Sequence, residues 1–201
     1  VTDSGDLTIT QTAGIDIVDP YLNKNAINPV AGDFNGDSLM DLGLHNSDTG
    51  TWEICISNNG VFSNSVDWLT GFGATREWQP IGGDFNGDGL TDVGIYNSAT
   101  GEFKVALSTG SGFIAQGAWL MFAGASASWQ PFTGNFNADK YTDLAFYNKD
   151  TGEVKVAFGN GSGFGAVSTW LNNVDTGYVA MSGDFNGDGL SDMGLFKKTA
   201  G

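Results

Sequence analysis

The chain has 201 residues, 40% of them hydrophobic and 12% aromatic, with 31 glycines and a net charge of −15 from 23 acidic against 8 basic side chains. That length and apolar content suffice for a buried core, and a glycine- and aromatic-rich composition fits a turn-rich all-β protein better than disorder. The charge argues against nucleic acid or anionic membranes as partners, and no apolar run reaches the length for membrane insertion.

Cys55 is the only cysteine. In Trp52-Glu53-Ile54-Cys55-Ile56 it reads as a buried, inert thiol on a strand. No signal peptide opens the chain, and a start on Val1 reads as a processed or excised piece of something longer.

In chain order, residues 6–10 and 15–18, with Tyr21-Leu22, read as two short strands. Then comes Gly32-Asp33-Phe34-Asn35-Gly36-Asp37, closed by Asp41. An apolar stretch, Leu42-Gly43-Leu44, leads to the turn Asn46-Ser47-Asp48-Thr49-Gly50, whose residue types tolerate positive φ. The acidic loop returns as Gly83-Asp84-Phe85-Asn86-Gly87-Asp88 with Asp92, as Gly134-Asn135-Phe136-Asn137-Ala138-Asp139 with Asp143, and as Gly183-Asp184-Phe185-Asn186-Gly187-Asp188 with Asp192. The steps between loops are 51, 51 and 49 residues. Between them, alternating segments such as Glu102-Phe103-Lys104-Val105-Ala106-Leu107 have the period of a half-buried strand. Glycine turns and segments ending in Trp68-Leu69, Trp119-Leu120 and Trp170-Leu171 follow.

About fifty residues holding four short strands, copied in tandem, predict an all-β propeller of four-stranded blades. The expected division is a half blade at 1–26, blades at 27–77, 78–128 and 129–177, and a half blade at 178–201. The terminal halves would complete each other in a closed four-bladed ring, or the chain would form part of a larger propeller.

Eleven of the 23 acidic side chains stand in the repeated loops, which predicts a bound counter-ion. Oxygens at loop positions 1, 3, 5 and 9, with a main-chain carbonyl at 7, suit a hard cation, and the absence of His and Cys argues against zinc or copper. The expected cofactor is calcium at three sites: Asp33, Asn35, Asp37, Leu39 and Asp41; Asp84, Asn86, Asp88, Leu90 and Asp92; Asp184, Asn186, Asp188, Leu190 and Asp192. An EF-hand is excluded, because position 12 is Leu44, Ile95 or Leu195 instead of Glu and the flanks are strands. The third loop, with Asn135, Asn137, Asp139, Tyr141 and Asp143, has lost its first Asp and both glycines and gained Lys140 beside the cage. It is expected to be weak or empty.

These residues resemble the FG-GAP/VCBS repeats of extracellular β-propellers, including the integrin α-subunit blades, over essentially the whole chain. The core of the resemblance is D-x-N-G-D-(G)-x-x-D, with an FG element at Phe72-Gly73. The GAP element is absent; Asn46-Ser47, Asn97-Ser98 and Asn148-Lys149 stand there. The resemblance implies calcium as a structural clip on one face, with ligands on the opposite face or in grooves between blades.

No catalytic constellation is present. His45 is the only histidine and aligns with Tyr96 and Tyr147, no serine lies in a G-x-S-x-G context, and Glu53, Glu102 and Glu153 recur at one hairpin position. The expected function is a calcium-stabilised recognition or scaffold module, extracellular or at the cell surface, binding carbohydrate or protein away from the loops. That face comprises residues 46–51, 97–102 and 148–153, with 70–77, 121–128 and 172–177. The alternatives are the propeller portion of a secreted polysaccharide-degrading enzyme, or a structural subunit that self-associates. The six tryptophans are expected to pack between blades rather than to stack on sugars.

Overall fold

The structure, a computed structural model, describes residues 26–58 and 60–197; the N-terminal strands expected at 6–22 lie outside them. The strands are β1 (Ile27–Gly32), β2 (Asp41–Asn46), β3 (Thr51–Cys55), β4 (Ser57–Asn58), β5 (Val61–Phe62), β6 (Val66–Leu69), β7 (Trp78–Gly83), β8 (Asp92–Asn97), β9 (Glu102–Ser108), β10 (Phe113–Met121), β11 (Trp129–Gly134), β12 (Asp143–Asn148), β13 (Val154–Ala157), β14 (Ser168–Leu171), β15 (Val179–Gly183) and β16 (Asp192–Phe196). No α-helix occurs among the described residues, so none is long and apolar enough to cross a membrane.

The strands form three four-stranded antiparallel sheets, β1-β2-β3-β6, β7-β8-β9-β10 and β11-β12-β13-β14, and a two-stranded sheet, β15-β16. A small hairpin of β4 and β5, which periodicity did not reveal, interrupts the first sheet between β3 and β6. Register repeats with the sequence: Gly32 faces Asp41, Gly83 faces Asp92, Gly134 faces Asp143 and Gly183 faces Asp192. A bulge or irregularity recurs in each four-stranded sheet, between third and fourth strands.

The first strands lie side by side, β1 beside β7, β7 beside β11 and β11 beside β15. The core therefore sits between sheets. Phe34, Trp52 and Ile54 of the first repeat pack with Val93, Ile95 and Phe113 of the second. Phe85, Phe103 and Val105 pack likewise with Trp129, Leu144 and Phe146 of the third. Burying each such large side chain contributes roughly 1.5–3 kcal/mol, so every sheet depends on its neighbour. Within a sheet, Gly94 makes room for a ring: a Cβ there would stand 2.4 Å from Phe103.

Candidate functional site

Each acidic loop joins the end of a first strand to the start of a second, and each Asn/Gly turn joins the second to the third. In an antiparallel sheet these connections lie at opposite ends of the second strand, which gives the array a loop end and a turn end.

At the loop end, the first carboxylate winds the loop around itself. Asp84 accepts the N–H of Gly87 at 2.6 Å and of Gly89 at 2.9 Å; Asp33 does so from Gly36 and Ser38, and Asp184 from Gly187 and Gly189. These N–H bonds hold the Asp184 carboxyl below the usual carboxylate range. Asn35, Asn86 and Asn186 each accept the N–H two residues on, and Asp37, Asp88 and Asp188 accept those of Leu39, Leu90 and Leu190.

The ninth residue does something the spacing did not show. Asp41, Asp92 and Asp143 are fully buried. Asp92 Oδ2 accepts the N–H of Phe85 at 2.9 Å, while Oδ1 accepts that of Ser108, sixteen residues on, at 2.8 Å. Asp41 clasps Phe34 and Ser57 in the same way, and Asp143 clasps Phe136 and Gly159. Asp192 holds Phe185. The carboxylate thus ties its loop to the end of the third strand. Burial pushes the Asp92 carboxyl up to about 7 against the pull of those N–H groups, and raises Asp143 too.

The third loop keeps this clasp while its upper half changes. Ala138 occupies a positive φ of 64°, where Gly36, Gly87 and Gly187 stand in the other loops. Asn135 donates its side-chain N–H to the Asp139 carbonyl, placing a donor where the other loops hold only acceptor oxygen. Asn137 accepts the N–H of Asp139, which accepts that of Tyr141. Lys140 Nζ lies over the Tyr141 ring of its own loop, 5.1 Å from its centre, and also reaches the Gly87 carbonyl of the second loop at 3.0 Å.

Among the described residues no three His, Cys, Asp or Glu side chains converge as a ready cage, because the ninth Asp is turned to the backbone. The remaining donors at loops one, two and four are all oxygen, and each carboxylate oxygen that accepts one N–H retains a second lone pair. That chemistry fits a hard cation at those three loops, and the third loop fits it worst.

At the turn end, each link to the next repeat is bonded onto its turn. Phe72 donates its N–H to Gly50 at 2.9 Å, Phe122 to Gly101 at 2.7 Å and Val174 to Gly152 at 3.0 Å. The residues expected to share the face away from the loops are thus brought together. Between the first strands of repeats one and two, this end carries a cleft of about 340 Å³ lined by Asn28, Pro29, Ser47, Arg76, Trp78, Gln79 and Pro80. Arg76 is held there by a two-pronged pair with Asp48 at 2.8 and 3.1 Å, which pulls the Asp48 carboxyl down. Lys104 lies over the Trp78 ring, 4.8 Å from its centre. Sequence reasoning missed the cleft as a unit, because Asn28, Ser47 and Arg76 come from the first repeat and Trp78, Gln79 and Pro80 from the second.

The tryptophans divide. Trp52 and Trp129 are buried core, Trp68, Trp78 and Trp119 are partly buried, and Trp170, though 42% exposed beside an apolar groove, packs on Phe136 at 5.6 Å and Phe158 at 5.8 Å. Cys55 is buried, and burial raises its thiol. Glu102 and Glu153 pair with Lys104 and Lys155, each two residues on.

His45 is fully buried, donates Nε2–H to the Phe72 carbonyl at 3.1 Å and lies 4.8 Å from the Trp52 ring. Burial holds it below its ordinary pKa, so the folded state binds fewer protons than the unfolded one, and stability falls as the pH drops below about 6.5. The equivalent Tyr147 gives its OH to the Asp175 carbonyl. His45→Tyr is therefore expected to lose less in melting temperature than wild type between pH 7.5 and 5.5; parallel slopes would remove the imidazole from this role.

No protein-family model and no curated protein matches the chain. Among solved structures, it is similar to a lectin of Agrocybe aegerita described for specific recognition of non-reducing terminal N-acetylglucosamine. The likeness has a TM-score of 0.64 at 18% identity and covers 81% of this chain and 44% of the lectin chain. The chain thus spans less than half of that lectin, and at this identity the likeness speaks for the fold: all-β, built of antiparallel sheets.

Proposed function

We propose that the chain is a carbohydrate-recognition module built as a β-propeller, its loops clipped by calcium and its sugar site at the turn end. The observation that carries this reading is the cleft between the first two repeats. Its volume is within the range of small-ligand pockets, on the order of a few hundred Å³. Its lining combines what a sugar needs: Asn28, Gln79, Ser47 and Arg76 for hydroxyl and amide groups, and Trp78 with two prolines for the apolar ring face. The lectin likeness supports the same class of ligand.

Calcium would be held at three loops by Asp33, Asn35 and Asp37, by Asp84, Asn86 and Asp88, and by Asp184, Asn186 and Asp188. The Leu39, Leu90 and Leu190 carbonyls and the clasping Asp41, Asp92 and Asp192 complete the sets. The ion offsets the repulsion of clustered carboxylates and fixes the loop against the sheet. Free calcium is abundant outside cells, so sites of moderate affinity fit an extracellular or cell-surface setting.

A glycan array probed with the calcium-loaded chain tests the ligand class. Binding to glycans ending in N-acetylglucosamine or a related amide-bearing sugar is expected, weakened by Trp78→Ala and Gln79→Ala. An array blank for every glycan overturns the reading.

A further inference from the structure

The contacts that join one repeat to the next recur along the array, the aromatic plug at the first two junctions and the backbone bond at all three, and they have a direction. The ring after the third-strand turn plugs onto the loop phenylalanine of the preceding repeat. Phe113 meets Phe34 edge to face at 5.7 Å, and Phe164 meets Phe85 at 6.0 Å. Beside the plug, the residue before each closing Asp donates its backbone N–H to the first loop residue one repeat back. Thr91 donates to the Asp33 carbonyl at 2.7 Å, Thr142 to Asp84 at 2.8 Å and Ser191 to Asn135 at 2.7 Å. The side chains of those donors fill the space over the preceding glycine: a Cβ on Gly32, Gly83 or Gly134 would stand 2.4, 2.6 or 2.6 Å from them.

Each repeat thus carries a plug toward the one before it and a socket toward the one after it. At one end of the described array the plug is bare. Phe62, the counterpart of Phe113, is 42% exposed, and Met40, the counterpart of Thr91, is 61% exposed. At the other end the socket is bare. Phe185, the counterpart of the fully buried Phe34 and Phe85, is 62% exposed, and the atoms nearest a Cβ on Gly183 all belong to Phe185 itself. Nine of the fourteen exposed large apolar side chains among the described residues belong to the first repeat or to the last two strands and the loop between them. Among the described residues the two ends do not pack together: β1 and β15 lack the extensive side-by-side contact that joins β1 to β7, β7 to β11 and β11 to β15.

We propose that this plug and socket are an interface for a second copy of the chain, joined head to tail. Phe62 of one copy covers Phe185 of the other, and the Met40 N–H bonds the Asp184 carbonyl with the Met40 side chain over Gly183. The occupant is a second copy because the missing half of each junction is the half that the chain's other end exposes. Such a heterologous contact closes when the last socket takes the first plug, and two copies are the smallest set that satisfies both ends.

Light scattering of the full chain in calcium reads this directly. The expected mass is twice the 21.1 kDa of one chain, falling toward one chain on dilution. Phe62→Asp and Phe185→Asp each give the single-chain mass with unchanged circular dichroism, since both side chains are exposed in the lone chain. An equimolar mixture of the two variants regains a dimer, because one intact plug then meets one intact socket. A single-chain mass for wild type at high concentration, whether residues 1–25 or nothing covers the socket, overturns the proposal. So does a dimer that survives both substitutions.

Discussion

With calcium at the three proposed sites, chelation is expected to lower the melting temperature further than any single substitution in this chain. A ligand bound only by the folded state stabilises it by about 2.7 kcal/mol when its free concentration is 100 times its Kd, so three such sites contribute about 8 kcal/mol. At about 2–4 °C per kcal/mol for a protein of this size, calorimetry with excess chelator shows a fall of roughly 15–30 °C. Two features set that scale. The three loops hold nine of the chain's carboxylates, and none of them is paired with a Lys or Arg in the three ion pairs found among the described residues. The third loop adds little, since the Asn135 amide already donates into its own loop. An unchanged melting temperature would make all four loops ordinary hydrogen-bonded turns.

The largest effect of one side chain belongs to Asp92. Asp92→Ala strands the N–H groups of Phe85 and Ser108, both on buried residues, and costs about 3 kcal/mol in chelator, with a further loss in calcium from its place among the proposed ligands. Asp88→Ala is the contrast. It removes an exposed acceptor from the Leu90 N–H and costs little in chelator, yet it weakens the calcium-loaded protein. Denaturant melts of both variants, each with and without calcium, separate the clasp from the ligand. Equal losses for the two variants under both conditions would mean that the ninth Asp has no structural duty of its own.

That distinction also marks where the sequence was legible. The tandem array, the strand order within each repeat and the opposite placement of loops and turns follow from side-chain patterns, because each depends on residue type at fixed spacing. The double role of Asp41, Asp92 and Asp143 does not. Their far partners are backbone N–H groups at Ser57, Ser108 and Gly159, positions with no side-chain requirement to leave a signature. Lys140 read as a charge beside its own loop, yet its stem is long enough to reach Gly87 one repeat away. The cleft at the turn end was hidden for a related reason. Arg76 has no counterpart at the same position in the other repeats, and only the side-by-side packing of β1 and β7 brings it to Asn28 and Gln79. The one signal for it was the departure from repetition itself.

The six indole N–H groups make sugar binding at the turn end directly measurable. A ¹H–¹⁵N spectrum of the calcium-loaded chain is titrated with an N-acetylglucosamine-terminated oligosaccharide. Saturable shifts are expected at the Trp78 indole and the Gln79 side-chain amide, with the buried Trp52 and Trp129 indoles and the loop amides of residues 84–92 unmoved. Shifts centred on the acidic loops, or no shift at any sugar concentration, would contradict binding at the turn end.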